Sequence, residues 1–269
     1  MAKSNTGSGG VTANIREKMI GKKKKPASTS TKAKRSGKKL DIPISEDDLI
    51  VCGIAASAGG LEALRAFVSG LELSGQIAYV IAQHMSPQHR SMMVELLSRE
   101  TTIPIFEAAQ DLPLVADTIY VGPPNSDIYV KNGKLNLRTP ISEIGPKPSA
   151  DYLFTSIAEE YGERSIGIVM SGTGTDGSHG LRAISAAGGI CIAQAPDSAK
   201  YDSMPVAAIK AGSDLVLRPE EIANQLLTII DRPKLDVKSL AIDQDKEADL
   251  PPLDKILRRI YEQKNIYRK

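Results

Sequence analysis

Tryptophan is absent from this 269-residue chain and phenylalanine occurs only three times. Any core must therefore be built from aliphatic side chains. There are two cysteines, Cys52 and Cys191, each inside an apolar run. That excludes a disulfide framework and fits small buried residues in a reducing compartment. Three histidines and two cysteines, none at ligand spacing, argue against a metal centre. No apolar run reaches the ~20 residues that cross a bilayer. The N-terminus has charge but no apolar stretch behind it, so it does not read as a secretory signal. A cytoplasmic protein without a membrane segment is the expectation. No fixed repeat is visible, which excludes solenoids and propellers.

What is present begins with a charge asymmetry. Residues 1–40 hold twelve Lys or Arg against the single acid Glu17, a net +11. The whole chain carries +2, so the rest carries −9. This lysine- and serine-rich arm lacks the apolar residues needed to offset chain entropy. Residues 1–46 are read as a disordered basic arm, either solubilising or in contact with polyanions. Residues 231–250 are polar and acidic, and Ile256, Leu257 and Ile260 share one helical face beyond them. Residues 231–269 are read as a linker and a short C-terminal helix that needs something to dock on.

Between these tails, over residues 47–230, buried-strand and helix patterns alternate. Leu49–Ala55 and Ile77–Ala82 are continuous apolar runs, as in strands covered on both faces. Shorter strands are expected at Ile103–Glu107, from Thr118, at Ser165–Met170, Gly189–Ala193 and Leu215–Leu217. Helical spacing marks 61–68, 92–99, 150–161, 180–187, 205–211 and 220–230. The alternation predicts an α/β fold with a doubly wound, mostly parallel sheet, Rossmann-like and three-layered. Asn132-Gly133 between alternating segments predicts a small antiparallel hairpin on that sheet.

In such sheets, sites form at the carboxyl ends of the strands. Ser57 follows the first strand, His84 the second, and Asp176 the strand ending near Met170. Ser, His and Asp are the parts of a nucleophile, its base and the group that orients the base. Ser57 sits in a turn of small residues, with a helix starting near Leu61. Free N–H groups at that helix start could hold an oxyanion, worth about 3–4 kcal/mol per donor. Other readings compete. A glycine-rich turn after a first strand often binds phosphate, but Gly53, Gly59 and Gly60 do not fit G-x-G-x-x-G and no Walker lysine follows. Ser57 also reads as a helix cap, His84 as a structural histidine and Asp176-Gly177 as a turn. His89 and His179 compete for the base.

Five segments in order carry a resemblance: Gly53–Leu64, Ala82–Met85, Pro148–Phe154, Met170–Gly177 and Ala199–Pro205. Together they resemble the catalytic domain of chemotaxis protein-glutamate methylesterases, over roughly residues 47–230. The resemblance implies the triad Ser57, His84 and Asp176, with no cofactor. Ala58, Gly59, Thr173 and Gly174 become the candidate oxyanion or substrate-binding residues. It also implies hydrolysis of γ-glutamyl methyl esters on chemoreceptor cytoplasmic helices, and deamidation of receptor glutamine by the same residues. A methyltransferase or another signalling protein is a further implied partner. Gly172-Thr-Gly-Thr175 and Ser198–Tyr201 look more like the esterase half of methylesterase–methyltransferase fusions. The basic arm stands where stand-alone enzymes carry a receiver domain, so activity without a phosphodonor is expected. A non-catalytic module of the same fold, recruiting receptor or methyltransferase, is the alternative.

Overall fold

The computed structural model describes residues 48–84, 92–140 and 147–230. The expectations for the basic arm, the acidic linker, the C-terminal helix and His89 lie outside them. The chain runs β1 (Ile50–Ala56), α1 (Gly60–Ser69), β2 (Ile77–Gln83), α2 (Met93–Leu97), β3 (Ile105–Glu107), β4 (Leu112–Pro113), β5 (Thr118–Val121), β6 (Asp127–Lys131) and β7 (Lys134–Arg138). It continues through α3 (Ala150–Tyr161), β8 (Ser165–Val169), α4 (Ser178–Ala186), β9 (Ile190–Gln194), α5 (Ser203–Ala211), β10 (Leu215–Leu217) and α6 (Pro219–Ile230).

Seven strands form one sheet in the order β10-β9-β8-β1-β2-β5-β3, with every pair parallel. β1 is buried on both faces, which is why its sequence is continuously apolar. Its side chains alternate between two layers. Cys52, Ile54 and Ala56 pack with Leu64 and Phe67 of α1, Leu97 of α2, and Ile222 and Leu226 of α6. Val51 and Ala55 pack with Phe154 and Ile157 of α3, Leu181 and Ile184 of α4, and Met204 of α5. Each large aliphatic or aromatic side chain buried this way contributes about 1.5–3 kcal/mol. The two helical layers thus follow from the two-residue period of the strand.

From β1 the chain steps to β2, out to β3 at the edge and back to β5 between them, then returns to β1's other edge as β8 and winds outward through β9 and β10. The winding reverses at the β1/β8 boundary, so the loops leaving the two strands part there and open a crevice at their carboxyl ends.

The expected antiparallel hairpin is present as β6 and β7, and only its attachment differs. It does not extend the parallel sheet but builds a separate antiparallel one with β4, in the order β4-β7-β6. Leu112 pairs with Leu135 and Pro113 with Lys134. Pro113 donates no ladder hydrogen bond, so the strand stays short and at an edge. Asn132 and Gly133 take φ of 52° and 68°, as a two-residue type I′ turn requires. Ile128, Val130 and Leu135 are buried in the α3-side core, which anchors this sheet beside α3.

Candidate active site at the strand ends

β8, β1 and β2 are neighbours, and their carboxyl ends carry Asp176, Ser57 and His84. Ala56 pairs with Gln83, so Ser57 and His84 are the next residues out of register-matched strands. The His84 backbone N–H donates to Ala56 O at 2.9 Å, extending the ladder one step past the sheet. The Ser57 N–H donates to Ser171 O at 2.9 Å, which ties the turn to the β8 side. The crevice therefore gathers residues separated by more than a hundred positions.

His84 Nε2 lies 2.8 Å from Asp176 Oδ2. With Nε2 engaged there, Nδ1 is the ring nitrogen left to exchange a proton with a substrate or nucleophile. Asp176 is held at the start of α3. Its Oδ2 also accepts from Ala150 N at 2.7 Å, and its Oδ1 from Asp151 N at 3.1 Å and Ser149 Oγ at 3.3 Å. Ser149 is the N-cap of α3. The carboxylate thus satisfies helix-end N–H groups that would otherwise be orphaned, and it sits at the positive end of the helix dipole. Burial alone would push the Asp176 carboxyl up. The hydrogen bonds from His84, Ala150 and Asp151 outweigh burial and hold it below the usual carboxylate range.

Asp151 returns the arrangement. Its Oδ1 accepts from Gly180 N at 2.8 Å, in the first turn of α4, the helix that follows Asp176. Each helix start is capped by a carboxylate from the other's segment. Burial, followed by repulsion from Asp176, pushes the Asp151 carboxyl up despite the Gly180 hydrogen bond. The two acids act oppositely on stability. Asp176 contributes stability that is complete above an unfolded value near ~4 and lost as pH falls through its depressed folded value. The Asp151 contribution is complete below ~4 and lost as pH rises through its raised folded value. Asp151→Asn keeps an acceptor for Gly180 and removes the repulsion, so it is expected to raise the melting temperature at pH 7 and leave it unchanged at pH 3. A lower value at pH 7 would mean that the charged hydrogen bond outweighs the repulsion.

The nucleophile turn is shaped by glycine. α1 begins after Gly59, whose φ is +69°, and no side chain caps it. Ser57 lies two residues before that position, so the helix-cap reading of this serine is not met. Among the described residues the N–H groups of Ala58 and Gly59 donate to no protein group. They sit beside the half-buried Ser57. A Cβ on Gly59 would lie 2.7 Å from Lys200 Cβ and 2.9 Å from Ser171 Oγ. Gly59→Ala is therefore expected to cost roughly 1–3 kcal/mol of strain at positive φ. It should also lower turnover by displacing the turn, as thermal melts and ester-hydrolysis rates on one preparation would reveal; full turnover would show the turn tolerant.

Thr173 and Gly174 are exposed at the rim of the crevice, in the loop between β8 and Asp176. Their segment is fixed from behind, where Gly172 N donates to Tyr201 O at 2.9 Å and Met204 N to Gly172 O at 3.1 Å. A Cβ on Gly172 would meet Ser57 Cβ at 2.7 Å, so this loop and the nucleophile turn are in van der Waals contact. His179 is exposed in the first turn of α4 and close enough to Asp151 to favour its charged form. It is not the histidine on Asp176.

Sequence reasoning passed over three polar residues here. Ser171, 1% exposed, donates from Oγ to Ala58 O at 2.9 Å and accepts from Tyr201 N at 3.1 Å. Gln194 accepts from Ser171 N at 2.8 Å. Gln83 donates from Nε2 to Ser57 O at 2.9 Å and to His84 O at 3.1 Å. Ser171 falls inside a segment that carried the resemblance, yet nothing in its spacing points to a junction of three loops. Among the described residues, no three His, Cys, Asp or Glu side chains are placed to hold a metal ion. No helix among them is long and apolar enough to cross a membrane.

Comparison with known proteins identifies the family. A Rhizobium meliloti (strain 1021) protein, described as protein-glutamate methylesterase/protein-glutamine glutaminase of group 3 operon, is 36% identical over 192 residues, covering 70% of this chain and 53% of that protein. A protein-glutamate methylesterase/protein-glutamine glutaminase of Desulfitobacterium hafniense (strain Y51) is 31% identical over 216 residues, covering 77% and 55%. The chain thus spans about half the length of these curated relatives. The crystal structure of the Thermotoga maritima CheB methylesterase catalytic domain shares the fold, with a TM-score of 0.63 and 24% identity over 67% of this chain and 98% of that one. The sequence model of the CheB methylesterase family matches residues 52–226, and the chain belongs to that family.

Proposed function

We propose that residues 47–230 form a serine hydrolase domain that removes methyl groups from γ-glutamyl methyl esters on the cytoplasmic helices of chemoreceptors. Ser57 is the nucleophile, His84 the general base and Asp176 the group that orients it. The observation that supports this best is the fourfold-bonded Asp176 carboxylate 2.8 Å from His84 Nε2, beside the strand that delivers Ser57. The names of the relatives give the substrate class of those proteins, and membership of the same family supports that class here.

The chemistry follows from these positions. Ser57 Oγ attacks the ester carbonyl carbon while His84 Nδ1 takes the hydroxyl proton. The resulting imidazolium is stabilised by Asp176, which stays ionised because three hydrogen bonds besides the imidazole's satisfy it. The N–H groups of Ala58 and Gly59 receive the oxyanion, and Thr173 and Gly174 line the substrate side. Collapse of the tetrahedral intermediate breaks the C–OMe bond, and His84 returns the proton so that methanol leaves. Water then attacks the glutamyl–Ser57 ester with His84 again as base, releasing the glutamate carboxylate. A primary amide differs only in its leaving group, so glutamine deamidation with release of ammonia uses the same residues; the two relatives' descriptions as glutaminases support it.

The test is methanol release from a chemoreceptor cytoplasmic fragment methylated on its glutamates. The full chain is expected to release methanol without any phosphodonor. No release from a folded chain, with the receptor fragment still bound, would favour the alternative of a non-catalytic recruiting module.

A further inference from the structure

Gln83 is the last residue of β2 and only 6% exposed. At that position an aliphatic side chain would satisfy packing. The amide nitrogen instead bridges two backbone carbonyls, Ser57 O at 2.9 Å and His84 O at 3.1 Å. These belong to the residues read above as nucleophile and base. The bridge uses both protons of the amide nitrogen, one on each loop, just where the ladder between β1 and β2 ends.

The other end of the same side chain is anomalous. Gln83 Oε1 is the buried side-chain polar atom left without a hydrogen bond among the described residues. It points at the start of α1, where a Cβ on Gly60 would lie 2.7 Å from it. Turning the amide over would relieve nothing, because Oε1 would then face two carbonyl oxygens. An orphaned buried acceptor lowers stability, and a side chain kept despite that cost calls for another role.

We propose that Gln83 is a positioning residue for hydrolysis. It clamps the Ser57 and His84 loops at a fixed separation, so that the Ser57 hydroxyl stays within reach of the imidazole that Asp176 orients. The proposal rests on the functional reading above. The two loops leave adjacent strands, and among the described residues they share no backbone hydrogen bond beyond Ala56 O. Without the clamp, the described part of the two loops is joined only by the His84 N–H to Ala56 O bond. A displacement of the order of 1 Å at a reacting pair can cost about 100-fold in rate.

The test combines two variants with three readouts. Gln83→Met conserves volume and removes both donors. Gln83→Asn keeps an amide but ends one methylene short of the two carbonyls. For each, and for the unchanged chain, one measures kcat and KM for methanol release, the rate of phosphonylation by a fluorophosphonate, and the melting temperature. Both variants should lose roughly 10–100-fold in kcat and in phosphonylation rate. KM should stay within about twofold, since Gln83 is buried away from substrate, and Gln83→Met should melt no lower than the unchanged chain. Unaltered kcat in either folded variant overturns the proposal. So does a loss of activity that only tracks a loss of folded protein, or a failure of both variants to fold; each makes Gln83 purely structural. If the unchanged chain itself neither releases methanol nor takes the phosphonate, the functional reading fails, not the clamp.

Discussion

Ser57→Ala is expected to reduce methanol release by roughly 10⁵–10⁶-fold, the loss seen when a serine nucleophile is removed from a triad. The fold should survive. Ser57 is half-buried in a turn, and its backbone, not its hydroxyl, makes the bonds that hold the turn: N–H to Ser171 O, and O accepting from Gly60 N and from Gln83. Alanine keeps all of them, and a surface-turn substitution of this kind usually lies within about 0.5 kcal/mol. Melting temperature and methanol release on the same preparation check both halves. Substantial release by the folded variant would remove Ser57 from the mechanism.

Asp176→Asn should cost about 10⁴-fold in kcat and also lower stability. The carboxylate accepts four hydrogen bonds through two oxygens. An amide has one oxygen and an NH2 group, which must take the place of either Oδ1 or Oδ2. If it replaces Oδ1, Asp151 N loses its acceptor and the variant should melt lower, by an amount typical of a lost cap, about 1 kcal/mol. If it replaces Oδ2, which His84 Nε2 and Ala150 N share, the imidazole is driven to the wrong tautomer and the rate falls. His84→Ala should lose nearly as much rate as Ser57→Ala, and the double variant little more, because the three groups act as a unit. The comparison requires kcat for each single variant and for Ser57→Ala/His84→Ala. Additive losses would contradict a shared step, and an inactive His179→Ala beside an active His84→Ala would reassign the base.

Much of this site was legible in the sequence because strand ends are. Continuous apolar runs located β1 and β2, and a parallel sheet leaves only one side for chemistry, so Ser57 and His84 stood out as strand-end candidates, and the family resemblance chose them over the competing readings. The hairpin turn was equally plain, since Asn132-Gly133 is chemistry for positive φ at two successive residues. What was not legible depends on contacts between distant segments. A helix start at Ala150 could be read from the spacing, but not that its free amides would grip Asp176, 26 residues on. Gln83 and Ser171 are ordinary polar residues in sequence, and their importance lies in partners 26 and 113 positions away. β4 is two residues long and too short to leave a pattern. α2 keeps only five residues, Met93–Leu97, of the segment whose spacing suggested 92–99. Helical spacing of that length does not itself hold a helix, and only Met93 and Leu97 reach the core.

The proposed mechanism requires that Ser57 become covalently modified through His84. The most direct measurement is peptide mapping by mass spectrometry after treatment of the full chain with a fluorophosphonate. A single phosphonyl adduct on Ser57 is predicted, abolished in His84→Ala and blocked by prior addition of the methylated receptor fragment. Methanol release that continues with Ser57 unmodified, or an adduct on another residue that stops release, would contradict it.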